Sequence, residues 1–332
     1  MAKVLITGGT GFIGIPLVKK LHSQDHKLKL LIRESSDITP FEGLTNIEYI
    51  IGDVQDIDSI YKAVEDVDSI YHLAAYTGIW AKKKSIYYDT NVKGTENIAK
   101  VTLEKNLKLF YVSSFTALGP TPVEPVDETH ENDNFFMEYE RSKYQAKNVI
   151  KELIPQGLKV ITFYPGIVYG PGDFNIFGRM LFDVTRGKIL PLGLCPGKGE
   201  SMACFSYVND LADVLAEIIK REDLFGEDFI LGGENIKFRK YLDLIAEIAR
   251  DKKAKKIPMK IAALYAWLLE EKAKITKKVP YLTRPTLNAI NYNRSYSSKK
   301  AIEKLGYKIT PLREGLQETI KWYKEYSDKE KN

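Results

Sequence analysis

Cysteine, tryptophan and histidine are scarce in this chain of 332 residues, which holds two, three and four of them. Cys195 and Cys204 are too few for a disulfide framework and fit reduced intracellular thiols. His22, His26, His72 and His130 show no metal-ligand spacing, and His72 lies in an apolar run that suits a satisfied core histidine, so no metal is expected. No apolar run reaches bilayer length. The strongest, Ile261-Ala262-Ala263-Leu264-Tyr265-Ala266-Trp267-Leu268-Leu269, is too short for a span and reads as a helix packing within a second lobe, with a membrane-surface helix as the alternative. No charged leader precedes Val4, so a cytoplasmic protein is expected. Internal repeats and low-complexity tracts are missing as well. The net charge is only +5, and its densest run, Lys252-Lys253-Ala254-Lys255-Lys256, reads as a solvated face rather than a nucleic-acid surface. With 44% apolar and 28% charged residues, the balance is that of a globular protein.

What is present is a glycine pattern in a telling context. Thr7-Gly8-Gly9-Thr10-Gly11-Phe12-Ile13-Gly14 follows the apolar Val4-Leu5-Ile6 and opens a helical pattern. Gly8 permits a tight turn, Gly11 lets backbone approach a pyrophosphate, and Gly14 lets the helix pack close to the strand. The amides around Thr10, Phe12 and Ile13 at the helix start then face the phosphates. Short apolar runs at 4–7, 29–32, 47–51, 69–74, 108–113 and 160–164 alternate with helical patterns, notably 91–105 and 139–153. This predicts an α/β protein with a doubly wound parallel sheet of Rossmann type over 1–165 and a smaller α/β substrate lobe over 166–332, some segments interleaved with the first.

A second constellation is Tyr139-Glu140-Arg141-Ser142-Lys143, with Ser114 ending the strand at 108–113. Spacing of four places Tyr139 and Lys143 on one helix face, where an ammonium lowers the phenol's pKa toward neutral proton transfer. Ser114, on the same sheet edge, is placed to hold a substrate oxygen.

Over nearly its whole length the chain resembles the extended short-chain dehydrogenases/reductases. The matching segments, besides the glycine loop and 139–143, are Gly52-Asp53-Val54, His72-Leu73-Ala74-Ala75, Asn91-Val92-Lys93-Gly94-Thr95, Val112-Ser113-Ser114, Pro165-Gly166-Ile167-Val168-Tyr169-Gly170-Pro171-Gly172 and Val208-Asn209-Asp210-Leu211-Ala212. The branch it is most similar to is dihydroflavonol-reductase-like, on Ala75-Tyr76 with Trp80 and on Leu231-Gly232-Gly233-Glu234-Asn235. The resemblance implies a catalytic triad of Ser114, Tyr139 and Lys143, with Tyr139 the proton donor or acceptor. It further implies that Asp53 and Val54 contact an adenine, Ala74 and Ala75 lie under the cofactor, Asn91 stands near the active-site helix, and Pro165, Ile167 and Val168 line the nicotinamide. The bland alternatives are a turn residue at Asp53 and a helix cap at Asn91. A homodimer pairing the helices at 91–105 and 139–153 is also implied.

Arg33 at the end of the second strand predicts NADP(H), while the adjacent Glu34 keeps NAD(H) open. The substrate is expected to be a ketone or aldehyde, or the matching alcohol, in a pocket of Tyr76, Trp80, Phe115, Met137, Tyr164 and Phe174. The alternative is an NAD-dependent nucleotide-sugar epimerase or dehydratase. Tyr164, Gly166 and Ala203 stand where such enzymes place diphosphate ligands, although Asn175, Arg284 or Arg294 could reach a phosphate. A non-catalytic dinucleotide-sensing protein is a third reading, disfavoured by the intact triad.

Overall fold

Strand β1 (Lys3–Thr7) is apolar on both faces, as befits the centre of a parallel sheet covered on both sides. The computed structural model describes residues 1–186, 194–249 and 255–329. Chain order runs β1, α1 (Gly14–Ser23), β2 (Lys27–Ile32), β3 (Ile47–Ile51), α2 (Ile57–Ala63), β4 (Ser69–His72), α3 (Ser85–Tyr88), a π-turn at Asp89–Lys93, α4 (Gly94–Glu104), β5 (Lys108–Val112), α5 (Glu138–Leu153) and β6 (Lys159–Pro165). There follow β7 (Ile167–Tyr169), α6 (Ile176–Thr185), β8 (Leu194–Pro196), β9 (Met202–Tyr207), α7 (Val208–Glu217), β10 (Asp228–Leu231), β11 (Asn235–Lys237), α8 (Phe238–Ala249) and β12 (Lys255–Ile257). Helices α9 (Met259–Thr276), α10 (Arg284–Ala289), α11 (Lys299–Leu305) and α12 (Leu312–Lys329) complete the described chain.

Seven parallel strands form one sheet in the order β10-β6-β5-β4-β1-β2-β3. The order reverses at β1, so the crevice outside the carboxyl ends of β1 and β4 is the topological switch point where such sheets bind ligands. Val4 and Ile6 point to the face covered by α1 and α7, and Leu5 to the face covered by α2, α4 and α5. The doubly wound sheet is thus the expected one, with strand bounds shifted by up to two residues and one strand added. β4 ends at His72 rather than at 74, with Leu73 N donating the last ladder bond, to Thr7 O. A seventh strand, β10, returns from the later sequence to pair with β6.

The later residues also build a separate layer. β7, β9 and β11 form a small sheet packed with α6, α8 and α12, and the Phe205 and Tyr241 rings stack at 4.0 Å in its core. Helix α9 packs as a lobe helix should, but through its small residues: Ala262 and Ala266 are buried with Leu287 and Ala273 is buried on the same side, while Ile261, Leu264, Trp267 and Leu268 face outward. No helix among the described residues is long and apolar enough to cross a membrane.

Candidate active site

The loop after β1 is shaped by close approach. Gly8 takes φ +72°, and a Cβ there would lie 2.6 Å from Ala74 N, so only glycine lets the ends of β1 and β4 meet. A Cβ on Gly14 would drive into the carbonyls of Gly8 and Gly9. Gly11 N donates to Gly8 O at 3.0 Å, which closes the turn. The amides of Thr10, Phe12 and Ile13 have no acceptor among the described residues, and α1 carries no acidic residue in its first turn. These free donors at a helix N-terminus fit a dinucleotide pyrophosphate.

Around this crevice the other expected cofactor residues are grouped on the same sheet edge. Arg33 follows β2 directly and is exposed, its guanidinium without a hydrogen bond among the described residues. Asp53 forms a turn in which Oδ1 accepts from Gln55 N at 2.9 Å. Val54 is buried against Gly94 and belongs to the core. Ala74 and Ala75, half-buried, follow β4; Pro165 closes β6, and half-buried Ile167 and Val168 begin β7.

Tyr139 and Lys143 lie one turn apart on α5, and Ser114 follows β5 at its carboxyl end. Ser114, 7% exposed, accepts from both the amide and the hydroxyl of Thr116, which fixes its Oγ beside Tyr139. Lys143, 2% exposed, donates to Val112 O at 3.4 Å. Burial pushes the Tyr139 phenol up to about 12, with the Ser114 hydrogen bond opposing, and brings Lys143 down to about 8. The expected lowering of the phenol is therefore not what the site displays: desolvation outweighs the Ser114 hydrogen bond, and burial disfavours the charge of the Lys143 ammonium as well. A phenol held this high keeps its proton at neutral pH and is poised as a donor.

Asn91 is buried in the π-turn, a helix irregularity that often marks functional sites. Its Oδ1 accepts from Tyr76 N at 2.7 Å, and its Nδ2 donates to Tyr76 O and to Ser142 Oγ. It therefore fastens the loop after β4 to α5. His72, fully buried and held neutral by desolvation with a pKa of about 3, completes the scaffold. Thr95 Oγ1 donates to Asn91 O, so it must accept from His72 Nε2, and His72 Nδ1 then accepts from Thr7 Oγ1 at 2.7 Å. Hydrogen bonds thus run in one direction from β1 to Asn91.

Sequence reasoning missed what holds the start of α5. Glu140 accepts from the amides of Phe136 and Met137, and Arg294 Nη2 donates to its other oxygen at 2.6 Å in a buried ion pair. Arg294 is thereby engaged by Glu140 through Nη2, and Arg284 is likewise paired, to Glu270. Asn175 is exposed just before α6. The proposed pocket divides. Tyr76 donates from its hydroxyl to Trp80 O and packs edge-on to Tyr87, bracing a half-buried loop beside Asn91. Met137 caps α5 next to Tyr139. Phe115 and Tyr164 are core residues instead, packed with Cys204, Ile230 and Tyr296, and the Tyr164 hydroxyl donates to Asp228. Phe174 packs in an aromatic cluster with Phe182, Trp322, Tyr323 and Tyr326 on α6 and α12. Thr116 escaped notice, though a Ser-x-Thr spacing at a strand end was its signal. Among the described residues no group of three or more His, Cys, Asp or Glu is arranged to hold a metal ion.

Comparison with known proteins places this geometry. Residues 4–232 match the NAD dependent epimerase/dehydratase family. A putative dihydroflavonol 4-reductase of Synechocystis sp. is 25% identical over 340 residues, covering 97% of this chain and 94% of the relative. A UDP-glucose 4-epimerase of Vibrio cholerae is 26% identical over 326 residues, covering 95% and 94%. Among solved structures, gox2253 superposes with a TM-score of 0.82 at 30% identity over 98% of this chain and 99% of that one.

Proposed function

Because the chain belongs to the NAD-dependent epimerase/dehydratase family and is similar to proteins named as a reductase and as an epimerase, we propose that it is an NADP(H)-dependent carbonyl reductase of the extended short-chain type. Its substrate is a ketone or aldehyde on an apolar skeleton. The observation that carries the choice is the buried pair of Arg294 with Glu140, which commits Nη2 of an arginine that could otherwise grip a sugar diphosphate. Met137, two residues before Tyr139, and Tyr76 and Trp80, on the loop that Asn91 fastens to α5, offer aromatic and apolar surface.

A bound nicotinamide supplies or accepts the hydride. In the reductive direction Tyr139 gives its proton to the carbonyl oxygen, while Ser114 Oγ, oriented by Thr116, holds that oxygen. Lys143 stands one turn away to meet the ribose and to balance charge as the phenol loses its proton. Arg33 meets the 2′-phosphate of NADP(H), which favours that coenzyme over NAD(H). A homodimer through α4 and α5 and a cytoplasmic setting belong to the same reading.

The test is a panel of aromatic and alicyclic ketones offered with NADPH, beside UDP-hexoses. Ketone-dependent NADPH oxidation is expected, and Tyr139→Phe should lower kcat by about 10²- to 10⁴-fold with NADPH affinity kept. Epimerised UDP-hexose without net coenzyme use would favour the epimerase reading instead.

A further inference from the structure

Helix α9 presents its large apolar side chains to the outside. At about 100° per residue, Ile261, Leu264, Leu268 and Ile275 fall within about 60° of arc, and they are between 52 and 84% exposed. Tyr265 and Trp267 flank this stripe on either side and are exposed as well. The opposite side holds buried Ala262, Ala266 and Ala273, the first two packed with Leu287 and its neighbours, so the helix is already packed without its outer face. An apolar stripe of this kind, bordered by aromatics, is uncommon on a surface that meets only water.

Charge says what covers it. Lys255, Lys256, Lys260, Lys272, Lys274, Lys277 and Lys278 are all exposed on or beside α9. Lys274 pairs with Glu271, and the other six have no ion pair among the described residues. Lys260 falls between Trp267 and Leu264 around the helix, and Lys272 between Ile261 and Tyr265, so ammonium groups line both margins of the stripe. Glu270, the other acid of the helix, is turned inward to Arg284. Two copies meeting along this face would set these lysines against one another. An anionic lipid surface would instead take the apolar stripe into its acyl boundary, seat Trp267 and Tyr265 at the headgroups and neutralise the lysines.

We propose that α9 is an interfacial helix that docks the protein on anionic bilayer surfaces. The inference does not depend on the reaction assigned above. It has a geometric consequence for the site, since α10 packs on α9 and Thr286 of α10 contacts Met137 Sδ at 3.9 Å, two residues before Tyr139. Docking along α9 would place α10, and behind it the start of α5, next to the docked face.

Flotation of the full chain with phosphatidylcholine vesicles, with and without phosphatidylglycerol, tests the proposal. Binding is expected to vesicles containing phosphatidylglycerol, to weaken as salt is raised, and to fall at least about tenfold in Ile261→Gln/Leu264→Gln/Leu268→Gln and in Lys260→Glu/Lys272→Glu. Circular dichroism and NADPH titration of both variants check that the fold and the crevice are kept. The proposal is overturned if the wild type ignores anionic vesicles, or if either folded variant binds them as well as the wild type does. Loss of a larger assembly in the apolar variant, seen by light scattering with a wild type that does not bind lipid, would assign the stripe to a second copy.

Discussion

Lys143, in its proposed role, comes at a cost to the fold. Its ammonium is buried with one long hydrogen bond to Val112 O, and burial lowers its pKa from 10.5 to about 8. The folded state therefore binds fewer protons than the unfolded chain between those values, so stability rises with pH across that window and the full penalty applies below about 8. The gap corresponds to about 3 kcal/mol. Lys143→Met should accordingly stabilise the coenzyme-free protein at pH 7 by up to about that amount while abolishing turnover. Urea unfolding at pH 7 and again above the ordinary lysine pKa checks this, because the gain should vanish at the higher pH. Arg33 permits a cleaner experiment, since its exposed guanidinium supports nothing else among the described residues. Arg33→Ser should shift the ratio of kcat/KM for NADPH over NADH at least about tenfold toward NADH, and an unchanged ratio would remove Arg33 from the coenzyme site.

At the scale of elements, α5 is the part that must not move, and its N-terminus is held from three sides. Glu138 meets Lys84 and Tyr88, Arg141 donates to Phe135 O, and Glu140 meets Arg294. Acidic residues in a first turn also suit the helix dipole. Arg294→Met leaves a buried carboxylate without its cation and should cost about 3–5 kcal/mol in urea unfolding, with Arg294→Met/Glu140→Met recovering much of the loss. If the single variant is as stable as the wild type, the pair does not anchor the helix. The reach of sequence reasoning is clear in this element. The helix itself was legible at 139–153 from its periodicity, one residue from its observed start at Glu138. Arg294 was not, because it lies 154 residues from Glu140 and no local pattern encodes such a partner.

Across the whole molecule, the doubly wound sheet was readable because strands buried on both faces leave continuous apolar runs, and the glycine loop marks the first turn unambiguously. β10 was hidden by its brevity and its origin in the later sequence, although it completes the edge beside β6. Phe115 and Tyr164 were read as pocket walls on their aromatic character alone, which core and pocket share; only packing separates the two. The same ambiguity met α9, where composition could not say that alanines face inward and leucines outward. The glycine crevice, Ser114 and Tyr139 share one sheet edge, and the proposed reaction rests on that placement: hydride to carbon, proton from Tyr139 to oxygen. Supplying NADPH deuterated at the transferable position of the nicotinamide, with a ketone found in the panel, follows that hydride. The alcohol should carry one deuterium on its new carbinol carbon, in equal amount to the NADP⁺ formed. A protein that instead retains bound NAD, leaves the deuterated NADPH unconsumed and interconverts UDP-hexoses is an epimerase.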